Sequence, residues 1–274
     1  MGNDDGPFGS DWLFFGGIAT VAFGIIGMLA AQQLARVVAY SVIVSSGTLL
    51  AAGGLDLDAL GAPALFYLCV SVLASSAFFM LTGMTERART HFHATADEAP
   101  LPAVTYGAFG AEDSDDPMDV EDEVGVAIPA AMAFLGLAFV SCALLVAGLP
   151  PLSGFVSKFA LLSAAVAVAP TAPVAMYSWV FVGTMLGTGL AAIIALTRMG
   201  MRLFWSVVGR TTPRLRVIEA APVATLILVC VVLTMIPEPV MTYMQGAALG
   251  LSAPETYIDA VLSAQPGATQ GAMP

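Results

Sequence analysis

Apolar residues gather into six long blocks separated by short polar stretches: Trp12–Ala31, Val37–Gly53, Pro63–Met84, Ile128–Ala169, Ala175–Leu196 and Val217–Ile236. Most are close to the ~20 residues an α-helix needs to cross about 30 Å of hydrocarbon. A backbone in lipid must satisfy its own hydrogen bonds, so blocks of this length predict spanning helices. The fourth block is about twice that length. It predicts either two helices or one broken helix.

Charge placement separates these two. Arg36 lies between blocks one and two, Arg87 and Arg89 follow block three, and Arg198, Arg202, Arg210, Arg214 and Arg216 lie between blocks five and six. If the fourth block crosses once, all of these arginines share one side and Asp56 and Asp58 lie opposite. If it crosses twice, the last five arginines change sides. The excess of basic residues on cytoplasmic loops therefore predicts a single broken crossing with both termini outside.

The expected fold is an all-α membrane protein of about six transmembrane helices, one broken near Gly148–Gly154. Four stretches follow: three helices over 1–84, an acidic cytoplasmic loop over 85–124, the broken helix and last two helices over 125–237, and an interfacial segment and tail over 238–274. Part of Val240–Ser263, with Met241, Met244, Leu249, Tyr257, Ile258, Val261 and Leu262, is expected to lie along the interface as an amphipathic helix. Met1–Asp11 has no basic stretch, so the first apolar block reads as a span rather than a cleaved signal.

Composition agrees. The chain is 58% hydrophobic and 11% charged, where a soluble domain carries about 25% charge. Its net charge of −11 is concentrated in Glu112–Glu123, where eight of twelve residues are acidic. That run lacks the glycine and spacing of a calcium loop and reads as solvated. Eight arginines and one lysine, with no basic patch near stacking aromatics, argue against nucleic acid. Cys69, Cys142 and Cys230 lie in separate apolar blocks and read as small buried hydrophobes. His91 and His93 have no third ligand, so no metal site is expected. No phosphate loop, zinc-protease motif or nucleophilic triad is present, and no cofactor is expected.

Other polar and small residues have structural readings. Trp12, Trp179 and Trp205 suit interfacial belts. Arg198 and Arg202 are expected to anchor a helix end, and Glu219 to pair with Arg214 or Arg216. Gly183 and Gly187 form a small-xxx-small face expected in close helix packing.

Lys158, the sole lysine, stands apart. An ionisable residue at membrane depth costs roughly 2.5–3.5 kcal/mol on insertion scales unless it faces protein or water. A long stem lets lysine snorkel to an interface, but the preceding residues favour function. Pro150 and Pro151 remove two backbone donors, and Gly148 and Gly154 relax the helix. Irregular backbone at this depth belongs beside a protein-lined or hydrated cavity. Desolvation favours a neutral amine, which lets such a lysine load and release a proton.

The run Gly148–Lys158, reading GLPPLSGFVSK, resembles the broken-helix motif of the antiporter-like subunits shared by respiratory complex I and multisubunit cation/proton antiporters. Leu34–Ser41 resembles the family's DLKRLLAYS stretch, and Phe66–Phe79 resembles its Y-L-x-H-x-x-x-x-K-A-x-L-F helix. Tyr40–Leu49 and Pro254–Leu262 look most like the D-type subunit of the Mrp/Pha-type sodium or potassium/proton antiporters. The resemblance implies a fold of about fourteen helices with two inverted repeats, each a half-channel. The motifs here fit its last six helices, so the chain looks like the C-terminal half of such a subunit.

This resemblance implies a role for Lys158 as proton acceptor of one half-channel, and departures from the motifs qualify that role. Val70 and Ser75 stand where the family often has histidine and lysine, and Ala35 replaces a lysine beside Arg36. Hydroxyls relay protons through water without storing charge. Ser41, Ser45, Ser46, Ser71, Ser75, Ser76, Ser153 and Ser157 are candidate channel-lining residues, each with helix packing or back-bonding as its plain alternative. The implied partners are other antiporter subunits, including a chain carrying the missing N-terminal repeat, together with lipid, protons and Na+ or K+. The implied location is the bacterial plasma (inner) membrane, multi-pass. Alternatives are a proton-translocating subunit of a complex I-type quinone oxidoreductase, or a non-transporting half that completes an assembly.

Overall fold

A computed structural model describes residues 9–98, 130–169, 175–204 and 217–252, with 258, 261 and 262. The described residues are overwhelmingly helical: α1 (Ser10–Ala30), α2 (Leu34–Leu55), α3 (Leu57–Glu98), α4 (Ala130–Ala147), α5 (Ser153–Val168), α6 (Ala175–Phe204), α7 (Val217–Met235) and α8 (Pro237–Ser252). Of these, α1, α2, α6 and the Leu57–Arg87 part of α3 are each long and apolar enough to span a bilayer. Exposed Phe23, Ile26, Leu137, Leu186 and Leu228 give the bundle an apolar exterior suited to lipid.

Helices α1 and α2 form a close antiparallel pair through glycine. A Cβ at Gly47 would meet the Val21 nitrogen at 2.8 Å and the Gly17 carbonyl oxygen at 2.9 Å. One at Gly17 would meet the Ala51 backbone, and one at Gly54 the Phe14 backbone. Small residues at seven-residue spacing on both helices thus bring the two backbones together, the usual device where lipid removes a hydrophobic drive. Gly183 and Gly187 do not act this way. Among the described residues, nothing outside their own stretch of helix lies within 4 Å of a Cβ placed at either one, so this face packs on no other described helix.

At the α2–α3 turn, Asp56 caps α3: its Oδ1 accepts from the backbone nitrogens of Asp58 and Ala59 at 3.0 and 3.1 Å. Helix α3 then runs past Met84 to Glu98, into the stretch expected as loop. Its last turns are rich in Ala, Arg and Glu, which favour helix even where hydropathy falls. After Ile236, Pro237 opens α8 at 89° to α7, a position where its missing N–H is harmless. Helix α8 packs back on α3, with Ala248 facing Gly61.

Two apolar clusters mark the two ends of the bundle. One joins Phe14, Leu60, Leu161, Ala165 and Phe181; the other joins Met28, Val37, Phe78, Leu81, Phe139 and Met199. Phe139 of α4 stacks edge-on with Phe78 and Phe204, ring centroids 5.8 and 5.6 Å apart. Helix α4 therefore starts near the end of α6, and α5 finishes near the start of α6. Together α4 and α5 make one broken crossing. Among the described side chains, Arg36, Arg87, Arg198 and Arg202 all fall toward the end where α1 finishes, and Asp11, Asp56, Asp58 and Glu238 fall toward the other.

Cys142 and Cys230 are buried, whereas Cys69 lies exposed on the outer face, and all are free thiols. Exposed Trp12 and Trp179 sit at the same end, near the starts of α1 and α6. His91, His93, Glu219, Trp205, Arg210, Arg214, Arg216 and the acidic run 112–123 lie outside the described side chains.

Candidate functional site

Helix α4 stops inside the bundle, and its sequence explains why. Gly148 adopts φ +75°, a left-handed conformation that glycine takes without penalty. The nitrogens of Gly148 and Leu149 both turn back to the Leu144 carbonyl, at 2.9 and 3.0 Å. In a continuing helix the Val146 and Ala147 carbonyls would accept from residues 150 and 151. Both of those are proline and have no N–H to give. The prolines thus leave these two carbonyls without backbone donors.

Lys158 supplies the donors. It lies in the second turn of α5 and reaches back across the break. Its Nζ donates to the Val146 oxygen at 2.8 Å and to the Ala147 oxygen at 3.0 Å. Those oxygens are the negative end of the α4 dipole, where a cation gains up to ~2 kcal/mol in a partly buried setting. Tight local packing fixes the approach. A Cβ at Gly148 would run into the Lys158 stem, and one at Gly154 into the Leu145 carbonyl. Ser157 Oγ closes the first turn of α5 by donating to the Gly154 oxygen at 3.1 Å.

Lys158 also lines a cavity at the centre of the bundle. Its walls include Ser41 and Ser45 of α2, Tyr67, Ser71 and Ser75 of α3, Val146 of α4, Ser157 of α5 and Thr188 of α6. Its volume is about 30 Å³; a water needs roughly 10–15 Å³ on this measure. Water fits, with polar partners at hand. Several hydroxyls spend their proton locally: Ser41 donates to Val38, Ser71 to Leu68 and Thr188 to Met185, at 2.7, 3.0 and 2.7 Å. Each still offers lone pairs. With two of its three donors on the carbonyls, the ammonium keeps one for water in a cavity walled by hydroxyl acceptors.

Of the sequence candidates, Ser41, Ser45, Ser71, Ser75, Ser157 and Lys158 meet at this cavity, and Gly154 lies in its wall. Three serines do not. Ser46 is exposed and donates to the Val42 oxygen at 3.0 Å, Ser76 is not in the wall, and Ser153 is fully enclosed with its hydroxyl unpartnered. Adjacent residues on a helix point about 100° apart, and here Ser46 and Ser76 turn away from the wall that Ser45 and Ser75 line. Gly148, Pro150 and Pro151 form the break itself.

The sequence reading did not single out Tyr67 or Thr188. Tyr67 is buried and its hydroxyl donates to Ser45 Oγ at 3.3 Å. It also belongs to the apolar cluster at the α5 end of the bundle, so it stands between the cavity and that seal. The four-residue spacing of Tyr67, Ser71 and Ser75 marks one helix face and was the available signal. Arg198 does more than anchor a helix end: its Nη2 donates to the Leu29 and Ala31 oxygens at 2.6 and 2.8 Å, closing the end of α1.

Comparison of the sequence and the fold finds relatives of this chain. No protein-family model matches the chain. It is 48% identical over 270 residues to the D subunit of a probable K+/H+ antiporter of Rhizobium meliloti, covering 96% of this chain and 48% of that protein. It is 28% identical over 246 residues to the D subunit of the Na+/H+ antiporter of Bacillus subtilis, covering 89% of this chain and 43% of that protein. The fold matches a chain of the Mrp complex from Dietzia sp. DQ12-45-1b with TM-score 0.63 and 21% identity, over 93% of this chain and 50% of that one. The chain spans about half the length of the relatives it matches. By sequence and fold it is a multi-pass membrane relative of the D-type antiporter subunits, corresponding to about half of one such subunit.

Proposed function

We propose that this chain forms half of a membrane subunit in a multisubunit monovalent cation/proton antiporter of a bacterial plasma membrane, and that Lys158 carries the proton in its half-channel. The observation that carries this reading is the Lys158 ammonium, held by two orphaned carbonyls at a helix break and facing a cavity lined with hydroxyls. A lysine in that position binds a proton with the help of the α4 dipole and releases it to cavity water when a neighbouring charge changes. Its partners are the other subunits of the complex. Potassium is the first ion to test, because the 48% identical relative is named a probable K+/H+ antiporter subunit.

The test is Lys158→Ala in the assembled complex. Everted vesicles should lose cation-driven proton movement while the complex still assembles.

A further inference from the structure

The α4 break already holds a monovalent cation, the Lys158 ammonium. Two carbonyl oxygens, from Val146 and Ala147, grip it at 2.8 and 3.0 Å. Backbone carbonyls at the C-terminal end of a half-helix also suit a hard alkali cation, which takes oxygen ligands and favours the negative end of the dipole. The surroundings permit such an exchange. Val146 and Ser157 line the cavity beside the ammonium, and its roughly 30 Å³ admits water to complete a coordination shell. On the α6 side, a Cβ at Gly189 would sit 3.2 Å from the Ala147 oxygen, so glycine there lets α6 pack close without pressing a side chain on that oxygen.

We infer that the C-terminal end of α4 is a binding site for a partly dehydrated alkali cation, which the Lys158 ammonium and that cation occupy in turn. The inference rests on the proton-carrying role proposed for Lys158 and adds the place where the two ions compete. When Nζ gives its proton to cavity water, the carbonyls lose their positive partner. The neutral amine releases them, and the cation takes its place. Reprotonation of Nζ restores the ammonium and expels the cation. One positive charge leaves for each that arrives, so the site exchanges ions at constant charge.

Calorimetric titration of potassium chloride and sodium chloride into the purified complex containing this chain tests the site, with choline chloride as control. In the wild type, apparent affinity should fall about tenfold for each unit the pH is lowered once Lys158 is protonated, because only the fraction with neutral Nζ leaves the carbonyls open to the cation. One proton should appear per cation bound. Lys158→Met, of similar length and uncharged, should bind the cation with no pH dependence. Lys158→Arg, whose guanidinium keeps its proton, should fail to bind at every pH. These opposite signs separate the result from a folding defect. Equal, pH-independent affinity in all three proteins overturns the cation site, as does absence of binding in Lys158→Met. Antiport measured on the same samples tests Lys158 as proton carrier separately: wild-type antiport in Lys158→Met contradicts that role whatever the calorimetry shows.

Discussion

Lys158 fills the space that a side chain at Gly148 would need. The lysine stem passes over the glycine where a Cβ would project, and the same glycine holds φ +75°. Backbone turn and side-chain path are therefore one feature. Gly148→Ala should strain the turn by about 1–2 kcal/mol and push Nζ off the Val146 and Ala147 oxygens. Antiport in everted vesicles should fall at least tenfold. Gly183→Ala, with nothing within 4 Å, should leave antiport at wild-type level and serves as the control.

The α1–α2 pair should be the most sensitive packing element. Gly47→Val places bulk against the Val21 nitrogen and the Gly17 carbonyl, both within 3 Å of any Cβ. Overpacking of this kind destabilises by roughly 1–3 kcal/mol. A lower melting temperature of the detergent-solubilised complex, with less of the chain recovered in membranes, is the expected result.

Tyr67→Phe removes one hydroxyl and keeps the ring in the apolar seal. The Tyr67–Ser45 bond is long, 3.3 Å, so stability should change by no more than about 1 kcal/mol. Transport should respond more strongly, with the maximal rate down several-fold, because the cavity loses its polar group nearest that seal. Rates in vesicles normalised to the amount of complex measure this.

Arg198→Met should separate structure from transport in the other direction. It leaves the Leu29 and Ala31 carbonyls without their charged donor, a loss of about 1.5–3 kcal/mol. Thermal stability should drop clearly. The activity of the complex that survives should keep its wild-type pH profile, since Arg198 is absent from the cavity wall.

Much of this was legible before the structure, and for identifiable reasons. The spanning helices follow from apolar length, and the single broken crossing follows from arginine placement together with Pro150 and Pro151. Those prolines even specify which carbonyls are orphaned, since Val146 and Ala147 lie four residues before them. What the sequence does not specify is who satisfies them, because Lys158 reaches back over eleven and twelve residues through a turn of unknown shape. The glycines show a similar limit. Gly183 and Gly187 have the spacing of a packing face, as do Gly17, Gly24, Gly47 and Gly54, but only a neighbour's position decides which face is used. Tyr67 escaped notice because it counts as apolar in a hydropathy block, while its hydroxyl counts as polar in a cavity.

The measurement that bears most directly on the account is proton-for-cation exchange by the complex reconstituted into proteoliposomes, comparing wild type with Lys158→Ala at matched protein. An imposed potassium or sodium gradient should drive proton movement in the wild type. In Lys158→Ala it should fall to the level of liposomes without protein, with the complex eluting at its normal size. Exchange at the wild-type rate from a correctly assembled Lys158→Ala complex would contradict the role assigned to this lysine.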